Sequence, residues 1–169
     1  MNEKELVKKA RNGDKQAFCD LYMLYNDRLY RYAFFKLGNS EDAKDAVSDC
    51  IVEAYENISS LKNEKAFSAW IFKIMYRSCC SLIKEQVRLK NTVDINSLND
   101  FSASYSINYE NAEVKEALEI LSDEEREIVL LAAVAGCKTK EIASLTGINH
   151  STVRSKLSRS LIKMRCFME

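Results

Sequence analysis

The chain has 169 residues, enough for one ordinary domain or two small ones. Apolar residues at 47% exclude disorder throughout, and four glycines with no proline argue against the many turns of a β-rich fold, which leaves an all-α protein. Basic and acidic residues number 25 each, which excludes a globally basic or acidic binding protein, so a charged partner must be read locally.

The first helix is predicted from about Glu3 to Arg11, with Leu6, Val7 and Ala10 on one side, and it stops at Asn12-Gly13. Asp14 is a good N-cap for a second helix. Its apolar stripe is Phe18, Leu21, Tyr22, Tyr25, Leu29 and Tyr32, and Gly38 ends it. Asn39 or Ser40 caps a third helix, with Glu41 and Asp42 in the first turn, where the helix dipole favours negative charge. One side of it is apolar (Ala43, Ala46, Val47, Cys50, Ala54) and the other acidic (Asp42, Asp45, Asp49, Glu53).

Ile58 to Lys65 reads as a polar loop, basic at Lys62 and Lys65, and a long fourth helix follows from roughly Glu64 to Val87. Its expected core stripe is Phe67, Trp70, Ile71, Ile74, Ser78 and Leu82. Beside the stripe lie Phe72 and Tyr76, and Lys73 and Arg77, each pair four residues apart. Rings interleaved with cations suit single-stranded nucleic acid, because bases stack on rings while cations hold phosphates. A wide core face flanked by solvated charges gives the same pattern. The residues alone do not separate the two.

From Arg88 to Glu110 the periodicity is lost and Asn, Ser and Asp predominate, which reads as a linker. The expected division is therefore two small helical domains, 1–87 and 111–169, joined by a flexible linker, 88–110. Between Glu110 and Glu127 there are eight acidic residues and two basic ones, whereas His150 to Cys166 holds five basic residues and no acid. Charge sorted in this way along one chain points to partners of opposite kinds.

In the second domain, Ser122 and Glu125 form a capping box that opens a helix carrying Ile128, Val129 and Leu131, ended by Gly136. Thr139 is expected to cap a short helix, Lys140 to Thr146, packed through Ile142, Ala143 and Leu145. Gly147 closes it, Ile148 fills the turn, and Asn149 caps a last helix with Val153, Leu157, Leu161 and Met164 inward. Two helices joined by a short glycine-containing turn make a helix-turn-helix unit. Ser151, Arg154, Ser155 and Ser158 share the face away from the core, flanked by Lys156, Arg159 and Lys163. Such a helix can enter the major groove, with hydroxyls and arginine at base edges and flanking cations at phosphates. A plain helical hairpin would not need to be cleared of acids from His150 onward.

No apolar run approaches the roughly 18 to 20 residues of a membrane span, and Met1-Asn2-Glu3-Lys4 does not open a signal peptide. A cytoplasmic protein without membrane insertion is expected. Six cysteines, none in a C-x-x-C pair, and a single histidine imply no metal site, and no cofactor is expected. Most of the cysteines read as small buried residues, with redox sensing at Cys79 or Cys80 as the lesser alternative. No histidine, cysteine and carboxylate group is spaced as a catalytic set, so an enzyme is not expected.

The two halves together resemble the bacterial sigma factors, in their extracytoplasmic-function branch. Leu6 to Tyr32, with Gly13-Asp14, Ala17-Phe18 and Arg28-Leu29-Tyr30-Arg31-Tyr32, resembles the opening of the family's region 2. Glu41 to Asp49 resembles the helix that holds the clamp of the polymerase β′ subunit, which implies polymerase contacts at Asp42, Asp45, Ser48 and Asp49. Phe67 to Ile74 resembles the promoter-melting segment, which implies −10 contacts from Lys62, Lys65, Phe72, Lys73, Tyr76 and Arg77. Leu121 to Arg165 resembles region 4, and Thr152 to Arg159 its −35 reading helix. That implies duplex contacts from His150, Ser151, Thr152, Arg154, Ser155, Lys156, Ser158, Arg159 and Lys163. The implied function is a sigma factor that binds core RNA polymerase (β′ clamp and β flap) and promoter DNA and that an anti-sigma factor controls.

The sequence departs from the family pattern at Ser48, at Tyr76, Arg77 and Ser81, at Ser122, and at Ala132 and Ala133. Two other readings are a polymerase-independent helix-turn-helix regulator and a degenerate sigma-like module that only binds a partner.

Overall fold

A computed structural model of the chain describes residues 1–91 and 109–169, apart from the side chains of residues 109–111. Every regular element among them is helical. The chain divides into two compact units, Met1–Ala103 and Ser104–Glu169.

The first unit holds α1 (Glu3–Arg11), α2 (Lys15–Leu37), α3 (Ser40–Asn57) and α4 (Phe67–Lys90). The caps lie where short polar side chains predicted them: Asp14 accepts from the Ala17 N–H and Asn39 from the Asp42 N–H. Gly38 ends α2 at φ 82°, a left-handed conformation that a side chain would resist. α1 packs on α2, α2 on α3 and α3 on α4, so α2 and α3 form the middle of the bundle.

Two 3₁₀ turns, Ile58–Ser60 and Glu64–Ala66, stand where a plain loop was expected. The fourth helix therefore starts at Phe67 rather than Glu64, and it runs on to Lys90. Its buried side is Phe67, Ile71, Phe72, Ile74, Met75 and Cys79, while Trp70, Ser78 and Leu82 are only half-buried. The stripe is thus rotated from the predicted one toward Phe72 and Met75. The cause is aromatic: Tyr25 and Tyr32 of α2 present their rings to Phe67 and Phe72, edge-on at 5.2 Å and 6.2 Å.

The second unit holds α5 (Tyr109–Glu119), α6 (Asp123–Val129), α7 (Thr139–Thr146) and α8 (His150–Met168). The Ser122 capping box is present in both directions. α6 does not simply run to Gly136. It widens over Leu130–Val134 into a π turn, with Ala135 N–H bonding Leu130 O five residues back. Lys138, not Thr139, is the N-cap of α7, and its N–H is held by the Glu141 carboxylate at 2.7 Å. α8 buries Val153 and Ser160 and half-buries Leu157 and Met164, whereas Leu161 is exposed. The predicted Leu161 thus gives way to Ser160, because 153, 157, 160 and 164 follow a straight helix better than a four-residue step repeated twice. Most of the expected linker, 88–110, lies outside the described residues.

Candidate polymerase and nucleic-acid interfaces

α3 sorts its side chains by face. Ala43, Ala46, Val47, Cys50 and Ala54 are buried, and Asp45, Ser48 and Asp49 are exposed. Asp42 stands apart from that set. It is half-buried, and its carboxylate accepts hydrogen bonds from Asn39 Nδ2 and from Gln86 Nε2 of α4. The exposed face continues into Val52 (58% exposed) and Tyr55 (47%), which the charge-led reading passed over. Their spacing from Asp45 and Ser48 was the available signal, since steps of three and four share one face. Beneath this face the Cys50 thiol is pushed up to about 12 by burial, with the Glu53 charge adding to it. It is a packed thiol rather than a reactive thiolate.

On α4 and the turns before it, Lys62, Lys65, Lys73 and Arg77 are exposed. Phe72 is not available to DNA. Its side chain is fully buried, with the Arg28 guanidinium 5.1 Å from its ring centroid. The expectation of a base stacked on Phe72 is overturned, because the ring is already enclosed by Tyr25, Tyr32 and Arg28. Tyr76 is half-buried, with Lys36 Nζ over its ring at 4.9 Å. Arg77 lines a groove between α3 and α4 with Asp49, Glu53, Ser81 and Glu85, so it faces the acidic side of the unit.

The turns themselves are anchored. Ile58 and Leu61 are buried, Asn63 accepts from the Lys65 N–H at 3.0 Å, and Arg11 Nη1 donates to Glu64 Oε1 at 2.6 Å. The Glu64 carboxyl is held below its ordinary value, first by a bond from its own backbone N–H and then by the charges of Arg11 and Lys4.

In the second unit, α7 packs on α8, Ile142 and Val153 are both fully buried, and Gly147 turns the chain between the helices at φ 75°. Thr139 Oγ1 and His150 Nε2 lie 2.8 Å apart, so His150 ties the start of α8 to the start of α7. Asn149 accepts from both the N–H and the hydroxyl of Ser151. Ser151, Arg154 and Ser155 line one shallow cleft, Ser158 and Arg159 are exposed, and Thr152 is half-buried. The Ser155 hydroxyl donates to the Ser151 carbonyl at 3.0 Å, which leaves its oxygen as an acceptor toward a ligand. Lys156 is engaged by Glu124, and Lys163 by Glu125 at 2.8 Å. The expected phosphate cations at these two positions are therefore already ion-paired to the first turn of α6.

Residues 21–89 match the model of sigma-70 region 2, and residues 111–164 that of sigma-70 region 4. The chain belongs to the sigma-70 family. Its relatives include RNA polymerase sigma factor SigV of Bacillus subtilis, 29% identical over 81% of this chain and 82% of the relative. ECF RNA polymerase sigma factor SigW of the same organism is 23% identical, covering 96% and 94%. The ECF RNA polymerase sigma-E factor of Escherichia coli is 24% identical, covering 95% and 91%. This is the extracytoplasmic-function branch, as the motifs implied. The fold agrees as well: CnrH, solved in complex with the cytosolic domain of CnrY, superposes at TM-score 0.70 with 23% identity over 98% of this chain and 96% of that one. Sigma factors are transcription initiation subunits without catalysis of their own, so the chain is not an enzyme. Among the described residues no helix is long and apolar enough to cross a membrane.

Proposed function

We propose that this sigma factor directs promoter-specific initiation, holding core RNA polymerase with its first unit and reading −10 and −35 elements with its two units in turn. The exposed carboxylates Asp45 and Asp49 would meet the β′ clamp. Lys62, Lys65, Lys73 and Tyr76 would take unpaired −10 bases and their phosphates. Ser151, Arg154, Ser155 and Ser158 would reach base edges of the −35 duplex, with Arg159 at phosphates. Residues 88–110 would link the two units, and contacts to the β flap would come from the second. The observation that carries this reading is the open, acid-free face of α8 beyond a helix-turn-helix turn, in a chain whose two sigma regions occur in family order.

Control by an anti-sigma factor in the cytoplasm is part of the proposal. It is supported by the fold neighbour RpoE of Bartonella quintana, which was solved with the anti-sigma factor NepR and superposes at TM-score 0.69 with 23% identity over 89% of this chain and 96% of that one. The test is run-off transcription with core polymerase on genomic fragments, using the parent and the double variant Asp45→Lys, Asp49→Lys. Specific transcripts from the parent, with weaker core binding by the variant, are expected. Duplex binding without any polymerase association would replace the proposal with a free-standing regulator, and polymerase binding without transcripts would leave only an interaction module.

A further inference from the structure

We propose that Arg11, on the helix that opens the chain, is a positioning residue for the segment that carries Lys62 and Lys65. This rests on the reading of that segment as the part that captures unpaired bases. The stretch from Ile58 to Ala66 is two short 3₁₀ turns, so no continuous helical ladder fixes it. Beside its local turn bonds, three side-chain anchors hold it to the unit or to itself. Ile58 and Leu61 are sunk into the unit, at 5% exposure each, and they fix the first turn. The Asn63 side chain caps the second turn at the Lys65 N–H. The third anchor comes from far along the sequence: Arg11 Nη1 on Glu64 Oε1 at 2.6 Å, across 53 residues.

Glu64 lies between the two lysines in sequence, so the point where it is tied sets where both cations project. The pair is not a loose surface contact. The side chains are only 26% and 25% exposed, which limits solvent screening and the freedom of both partners. α1 also packs against both 3₁₀ turns, so the guanidinium acts from an element already in contact with them. Arg11 itself lies at the C-terminal end of α1, where a cation is favoured by the helix dipole whether or not Glu64 is present. Removing Glu64 should therefore free the turn while sparing α1. A residue that merely stabilised the bundle would act on polymerase binding and promoter opening alike. A positioning residue should act on opening alone.

The experiment uses the full chain with core polymerase on a promoter the parent transcribes. Core binding, closed-complex formation and permanganate reactivity of thymines in the opened segment are measured for Arg11→Ala, Glu64→Gln and the double variant. Each single variant should bind core polymerase like the parent and lose roughly three- to tenfold in opening, the range for a partly screened charge-assisted hydrogen bond. The double variant should lose no more than either single one, because both remove the same contact. Arg11→Lys should recover part of the loss. The proposal is overturned if Arg11→Ala opens the promoter like the parent, if the two single losses simply add, or if core binding and melting temperature fall together with opening. Lys62→Ala with Lys65→Ala is the separate arm: unchanged opening there removes the role of the segment itself, independently of Arg11.

Discussion

At the residue scale, the difference between Phe72 and Tyr76 shows how much four positions on one helix can matter. Both rings lie on α4, one turn apart, yet one is enclosed by Tyr25, Tyr32 and Arg28 while the other is half-exposed beneath Lys36. Phe72→Ala should cost about 3–5 kcal/mol of stability, the range for emptying a buried aromatic site, and appear as a large fall in melting temperature. Tyr76→Ala should leave the melting temperature nearly unchanged and weaken promoter opening by about 1–3 kcal/mol if a base stacks there. Equal thermal losses in the two variants would assign Tyr76 to the core as well. Arg154 belongs to a different class, being exposed on α8 beside Ser151 and Ser155 with no acid on its helix before Glu169. Arg154→Ala should cost roughly 1–3 kcal/mol on the preferred −35 duplex and relax its sequence preference, as loss of a bidentate base contact would. Titration of the full chain against a panel of duplexes would measure it, and uniform weakening on every duplex would reassign Arg154 to phosphate.

At the element scale, the sequence made most helices legible, because caps and periodicity act locally. Asp14, Asn39, Ser122 and Asn149 cap where short polar side chains precede apolar stripes. What it hid was rotation and pairing, which depend on neighbours distant in the chain. The rotation of α4 toward Phe72 is set by α2, and the place of Ser160 in the core of the second unit depends on the elements α8 packs against, α5, α6 and α7. The ion pairs from α6 to α8 were equally invisible: the acidic run before Glu127 and the basic helix after His150 were read as surfaces for different partners, yet Glu124 holds Lys156 and Glu125 holds Lys163. Phosphate binding by these lysines therefore competes with the carboxylates already on them. Glu124→Gln should tighten binding to all duplexes about equally, and the gain should vanish in a Lys156→Gln background. Both effects are read from affinity at two salt concentrations. A gain that persists without Lys156 would show only the change in net charge. Glu125→Gln is less clean, since Glu125 also caps α6 through the Ser122 N–H.

At the scale of the whole molecule, the organisation in two units was legible from periodicity and local composition, because a core requires periodic apolar residues and the stretch after α4 lacks them. Each described unit has its own buried set: Leu21, Leu29, Tyr32, Ile71 and Met75 in the first, and Ile128, Leu131, Ile142 and Val153 in the second. Two separate cores of this kind should unfold as two cooperative steps or as two independent fragments. Mild proteolysis of the full chain should therefore cut first between Asn91 and Tyr109, where Asn, Ser and Asp predominate, and release two fragments that remain helical. The larger fragment should keep polymerase binding and the smaller one duplex binding, since Asp45 and Asp49 lie on the first and Arg154 on the second. Circular dichroism of the purified fragments, with binding to core polymerase and to a −35 duplex, measures both halves of this expectation. First cleavage within α4, or loss of helicity on separation, would mean that the two sets of buried residues depend on each other. The division of labour between the units would then have to be abandoned as well.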